Sequence, residues 1–184
     1  MIEDPTVNHP GELNKLDFEE FVEKLGNIVE KSPVVAAAVW SKRPFYSLQD
    51  VHKAACDFID GLPMNGKEGL LRCFPDLAGT LARERRLGSE STGEQRSAGL
   101  LELTTEEQTN ITRLNSRYKT KFGIPFVLCA RLNKKGAILR GMKTRINNCR
   151  EEEIKTGIEE AKKICWLRLV DALQPEQVVV MSKL

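Results

Sequence analysis

The chain has 184 residues, with 28 Lys or Arg against 26 Asp or Glu and a formal net charge of +2. That length suffices for one domain with its own core, and the near-even balance gives no field to attract nucleic acid or an acidic membrane surface. No apolar run approaches the ~18 residues of a membrane span, and the amino terminus does not follow a charged stretch with an apolar one, so neither a span nor a secretory leader is expected.

Residues 1–15 carry Pro5 and Pro10 among polar residues and read as a loose tail ahead of a helical domain over residues 16–181. Asp17 with Glu20 is an N-cap pattern, and Phe18, Phe21, Val22, Leu25, Ile28 and Val29 recur behind it with helical period. Ser32-Pro33 starts a second helix, near-continuously apolar from Val34 to Trp40, that has to stop before Pro44. Ser47 with Asp50 opens a third helix, striped by Val51, Ala54, Ala55, Phe58, Ile59 and Leu62 and closed by Pro63 and an Asn65-Gly66 turn.

Arg72 to Gly79 then reads RCFPDLAG. Pro75 donates no backbone N–H and pushes Phe74 out of the α region, so a helix through Leu70 and Leu71 ends with Phe74 at its tip. Asp76 brings an acceptor to the turn and Gly79 permits a sharp change of direction. On these residues alone the stretch is either an ordinary helix stop over a core Phe or the edge of a site.

The Arg-rich run from Thr80 to Gly88 reads as a solvated connection, and Ser91-Thr92-Gly93-Glu94 as a capping box opening another helix. Thr104 with Glu107 repeats that signal ahead of Ile111, Leu114, Tyr118 and Phe122, a long helix ended by Gly123 and Pro125. Phe126, Val127, Leu128, Cys129 and Ala130 are five apolar residues in a row, too short for a helix, and predict a buried extended segment. Asn133 to Gly136 turns the chain. Ile138, Leu139, Met142 and Ile146 mark a further helix, and Ile154, Ile158, Ala161, Cys165 and Leu169 a long final one. There is no 20- to 50-residue repeat and no alternating strand pattern, so the expected class is all-α, a single-domain bundle of seven or eight helices.

The side chains that could carry chemistry are few. Five cysteines (Cys56, Cys73, Cys129, Cys149, Cys165) form no C-x-x-C pair, and with only two histidines they read as reduced, buried small hydrophobes; no metal site is expected. Neither His9 nor His52 has an evident partner. Arg168 sits in the apolar run Ile164 to Val170, and is either a solvent-face Arg paired with Asp171 or a planar donor turned into a pocket for a carboxylate or urea-like group. Glu94 and Gln95 pose the same choice between capping a helix and binding a small polar anion at its end. Ser182-Lys183-Leu184 at the carboxyl end is the tripeptide that peroxisomal import receptors read.

AAAVWSKRPF (Ala36 to Phe45), GLLRCFPDLAG (Gly69 to Gly79), SESTGEQRSAGL (Ser89 to Leu100), LNSRYKTKFGIPFVLCARL (Leu114 to Leu132) and EEAKKICWLRL (Glu159 to Leu169) resemble, in content and order, successive blocks of 2-oxo-4-hydroxy-4-carboxy-5-ureidoimidazoline (OHCU) decarboxylase. The resemblance runs from about Asp17 to Leu173. It implies an all-helical homodimer without metal or organic cofactor, acting in urate breakdown on a ureidoimidazoline substrate and releasing CO2 and (S)-allantoin. It also implies a peroxisomal protein, met by its import receptor at the C-terminus. By position it makes Pro75, Ser91, Thr92, Gly93, Glu94, Gln95, Phe126, Val127, Leu128, Cys129, Ala130 and Arg168 the substrate-binding residues, with Glu94 at the ring and hydroxyl region. Gln95 and the amides of the Val127 to Ala130 run would hold the ureido and carbonyl groups, and Arg168 the polar end of the pocket. The family's proton-donor histidine stands before Pro-Asp-Leu, where this chain has Phe74. A phenyl ring supplies no proton. Three functions remain: an impaired decarboxylase in which Glu94 or water replaces the lost acid, an inactive relative that only binds allantoin-like purine metabolites, and a helical interaction module unrelated to purines.

Overall fold

The structure is a computed structural model that describes residues 11–79 and 87–173. Ser182, Lys183 and Leu184, the first ten residues and most of the Arg-rich connection lie outside the described residues. Among those described there are nine α-helices, one short 3-10 turn and no strand, which matches the expected all-α class. None of these helices is long and apolar enough to cross a membrane. The residues group into two compact units, the first ending at Pro63 and resuming at Lys162, the second spanning Met64–Ala161.

The first unit holds α1 (Gly11–Lys15), α2 (Phe18–Leu25), α3 (Pro33–Trp40), α4 (Leu48–Gly61) and the second half of α9 (Arg150–Leu173). Asp17 caps α2 by accepting from the Glu20 amide at 2.9 Å while the Glu20 carboxylate accepts from the Asp17 amide at 3.1 Å, and Ser47 with Asp50 builds the same reciprocal box on α4. Phe21, Leu25, Val35, Ala36, Val39, Val51, Ala55 and Ile59 are fully buried where α2 packs on α3 and α3 on α4. Ile28 and Val29 lie past the end of α2 yet are buried too.

Residues 11–15 are not a loose tail. Leu13 is buried, and Asn14 clasps Phe45 twice, its amide donating to the Phe45 carbonyl and its oxygen accepting from the Phe45 N–H, both at 2.8 Å. His52 also has partners that the sequence did not disclose: its Nε2 lies 3.0 Å from the Lys162 carbonyl and its ring packs edge-on against Trp166.

The second unit holds α5 (Met64–Arg72), α6 (Ser89–Ser97), α7 (Thr105–Phe122), the 3-10 turn Ala130–Leu132, α8 (Lys135–Arg145) and the first half of α9. Asn65-Gly66 is no turn but the start of α5, and Lys135-Gly136 already belongs to α8. Thr104 and Glu107 cap α7 as expected, and Gly123, at φ +71°, closes it in the left-handed conformation that glycine adopts at low cost. Glu68 on α5 takes Arg72 at 3.0 Å and Arg150 at 2.6 Å, tying α5 to the start of α9. All five cysteines are free, but only Cys129 and Cys165 are buried, and Cys149 is exposed.

At Gly157 the approach of α5 to α9 leaves no room for a side chain, because an added Cβ would lie 3.1 and 3.2 Å from the two terminal carbons of Leu71. Gly157→Val should overpack this contact and lower unfolding free energy by about 1–3 kcal/mol, read as a drop in the urea midpoint; an unchanged midpoint would mean that Leu71 gives way.

Candidate active site

The end of α5 and the turn after it form the frame. Cys73 and Phe74 donate to the carbonyls of Leu70 and Leu71, both at 3.2 Å, tightening the last turn before Pro75 releases the chain. Gly79 closes back on Asp76 through a 3.2 Å bond, and an added Cβ there would lie 2.6 Å from the Asp76 Cβ, so only glycine fits. Ala78 takes a left-handed backbone at φ +48°, which costs a non-glycine residue free energy. Three side chains hold it there. Gln95 accepts from the Ala78 N–H at 2.8 Å, Gln108 donates to the Ala78 carbonyl at 2.9 Å, and Asn115 donates to the Leu77 carbonyl at 2.9 Å. Phe74, only 9% exposed, lines a cavity of about 550 Å³ with Pro75, Asp76, Gly79, Lys119 and Ile124. Lys119 pairs with Asp76 at 2.9 Å.

Ser91 is not an N-cap, and Ser91 with Glu94 is not a capping box. Helix α6 begins three residues earlier, with Gly88 at the N-cap and no side-chain cap, which places Ser91 inside the first turn. Ser91 and Gln95, one turn apart, both face inward at 3% and 2% exposure. Thr92 bonds the Gly88 carbonyl through its hydroxyl at 2.8 Å, Gly93 is exposed, and Glu94 is half-buried. The run 91–95 thus offers a site one carboxylate, one amide and a buried hydroxyl from one side of the helix, with Gly93 turned away.

Phe126 to Cys129 is the expected extended segment, while Ala130 already opens the 3-10 turn; all five residues are buried except the half-buried Leu128. Among the described residues no strand flanks it; side chains take its backbone groups instead. Arg145 donates to the Val127 carbonyl at 2.9 Å, Asn133 donates to the Cys129 carbonyl at 2.9 Å, and Glu160 accepts from the Cys129 N–H at 2.8 Å. Burial pushes the Cys129 thiol up, and the Glu160 and Glu94 carboxylates push it further, which keeps it protonated and a poor nucleophile. The same field puts the Glu94 carboxylate on the Cys129 side of α6. The 3-10 turn that ends the segment packs on α6, and the Lys135 N–H donates to the Ala98 carbonyl at 3.0 Å.

Phe74, Pro75, Ser91 to Gln95 and Phe126 to Ala130 therefore belong to one unit, joined by Gln95 to the turn and by the 3-10 turn to α6. Glu160 was missed by sequence reasoning; its only signal was a place in the block Glu159 to Leu169, where acidic residues on a long helix look like solvent-facing ones. Arg168 belongs to the first unit. It does not sit on a solvent face: it is 4% exposed, and it donates to the Glu30 carboxylate at 2.8 Å and the Asn27 carbonyl at 2.9 Å. Glu30 is itself buried. Among the described residues no three His, Cys, Asp or Glu side chains stand together as a metal site would require.

The family described as OHCU decarboxylase matches residues 14–170. A 2-oxo-4-hydroxy-4-carboxy-5-ureidoimidazoline decarboxylase from Amia calva is 50% identical over 163 residues, covering 89% of this chain and 93% of that protein. Two solved structures share the fold. An (S)-allantoin synthase superposes with a TM-score of 0.73 at 23% identity, over 90% of this chain and 54% of that one. An OHCU decarboxylase crystallised in the presence of (S)-allantoin superposes at 0.66 and 20% identity, over 82% of this chain and 97% of that one. With the family match spanning most of its length and half of the aligned residues shared with the Amia calva protein, the chain belongs to the OHCU decarboxylase family.

Proposed function

We propose that this chain binds the ureidoimidazoline substrate of its family and decarboxylates it to (S)-allantoin, at a rate lowered by the loss of the proton donor at position 74. Breaking the bond to the carboxylate releases CO2 and leaves an electron pair that the ring must accept, after which one face of the carbon takes a proton. A positioned acid sets both the rate and the hand of that step. Phe74 stands at the tip of α5, nine-tenths buried and directly before Pro75; it is the observation that carries the reading. It fills volume where an imidazole would donate, and general acids typically contribute about 10²- to 10⁴-fold.

The other roles follow from what each side chain already does. Gln95 has committed its oxygen to Ala78, so its NH2 group is the part that meets a ligand carbonyl. Glu94 supplies an acceptor for ring N–H or hydroxyl groups. The Cys129 amide is engaged by Glu160, which makes the neighbouring amides of the segment the donors to the ureido end. The same Phe74 favours a second reading, a protein that holds allantoin-like purine metabolites without turning them over.

Circular dichroism of allantoin formed from freshly generated substrate separates the two readings. The chain should yield optically active product slowly, and Phe74→His should raise the rate by about 10²- to 10⁴-fold. Racemic product from the chain at the uncatalysed rate, beside an active Phe74→His form, would establish the binding protein. Equal rates from both would show that the proton comes from elsewhere.

Two further properties are part of the proposal. The chain works as a homodimer, which light scattering should report as twice the 20.7 kDa protomer mass. It is imported into peroxisomes through Ser182-Lys183-Leu184, so removal of these three residues should leave a fluorescent fusion carrying this C-terminus in the cytosol.

A further inference from the structure

Behind the segment Phe126 to Ala130 lies a cluster of polar side chains that none of the roles above uses. Arg145, from the last turn of α8, makes three kinds of contact at once. Its Nη1 donates to the Val127 carbonyl at 2.9 Å, its Nε donates to the Glu153 carboxylate at 2.8 Å with Nη2 on the same oxygen, and its guanidinium carbon lies 4.4 Å from the centre of the Phe126 ring. Glu153, in the first turn of α9, has no exposed surface and also takes the Tyr118 hydroxyl and, at 2.9 Å, the Asn148 amide. Tyr118 closes the far side of Phe126 edge-on, with ring centres 5.2 Å apart. Phe126 and Leu128 pack beside Gly141 on α8.

The contact on Val127 matters because a peptide unit is planar and trans, so its carbonyl and the N–H of the next residue point in opposite directions. Holding the Val127 carbonyl against Arg145 aims the Leu128 N–H to the other side of the segment. Among the described residues that N–H has no hydrogen-bond partner, whereas the next amide, of Cys129, is taken by Glu160. Leu128 is also the one half-buried residue in an otherwise buried run.

We propose that Arg145 is a positioning residue for substrate binding: by fixing the Val127 carbonyl and the Phe126 ring, it presents the Leu128 N–H to the ureido or carbonyl end of the ligand. The inference rests on the site reading given under the proposed function. A guanidinium suits the task because its rigid fork reaches a carboxylate and a carbonyl simultaneously while its face covers a ring, which an ammonium cannot do. Burial pushes the Glu153 carboxyl up to about 8 and the Arg145 guanidinium down to about 10; the donors converging on the carboxylate oppose the first of these shifts, and the ion pair opposes both.

The test is (S)-allantoin calorimetry on the parent chain, on Arg145→Lys, which keeps a cation beside Glu153, and on the double variant Arg145→Met with Glu153→Gln, which removes both charges should the lysine form fail to fold. Folded variants should bind about tenfold more weakly, as expected for one misaligned hydrogen bond. In the Phe74→His background, Arg145→Lys should raise KM by a similar factor and leave kcat nearly unchanged. In 15N-labelled protein the Leu128 amide resonance should move on adding allantoin to the parent but not to Arg145→Lys. A folded variant that binds as tightly as the parent, with the Leu128 shift intact, overturns the role of Arg145 alone. A parent chain that binds no allantoin overturns the site reading and this inference with it.

Discussion

Glu153 starts α9 with its carboxylate fully enclosed, and Tyr118 from α7, Arg145 from α8 and Asn148 from the link between α8 and α9 all converge on it. A buried charge is tolerated only when its partners replace the water it has lost, and removing one partner from such a pair costs about 3–5 kcal/mol. The cluster therefore adds less to net stability than to geometry: the three helices meet in the one arrangement that satisfies the carboxylate. The first turn of a helix is also where a negative charge is favoured by the helix dipole. The segment Phe126 to Ala130 inherits its course from this cluster, since Phe126 and Val127 are the residues that Arg145 and Tyr118 grip.

The turn that follows Phe74 is built on different terms. Gln95, Gln108 and Asn115 hold its peptide groups, Gly79 provides the space, and Pro75 ends the helix. None of these acts through the side chain at position 74. A phenyl ring there is compatible with the same backbone, so the frame does not depend on which side chain position 74 carries.

Local rules read this sequence well where structure is local. The boxes at Asp17 and Glu20, Ser47 and Asp50, and Thr104 and Glu107 were legible because a cap involves residues three apart, and each precedes an apolar stripe that needs a start. Ser91 and Glu94 have the same spacing but lie inside a helix begun at Gly88; burial of Ser91 and Gln95 decided their direction, and burial is a property of the whole unit. Arg168 shows the same limit. Helical spacing leaves its orientation open, while Glu30, 138 residues away in sequence, fixes it. Glu153 and Glu160 were invisible for a related reason, since a charge run on a long helix signals solvent unless distant donors are known. Helix α1 came from Leu13 and the Asn14 clasp on Phe45, again contacts with no local trace.

Ala78 carries a consequence for motion. Its left-handed conformation is kept by three side chains from two helices that must let go together. Segments that open singly exchange their amide protons quickly, whereas those tied into a cooperative block exchange only when the block does. By this measure the stretch from Leu77 to Gly79, a loop in outline, keeps time with the helical interior, and the edge of the cavity that Gly79 lines is a fixed one.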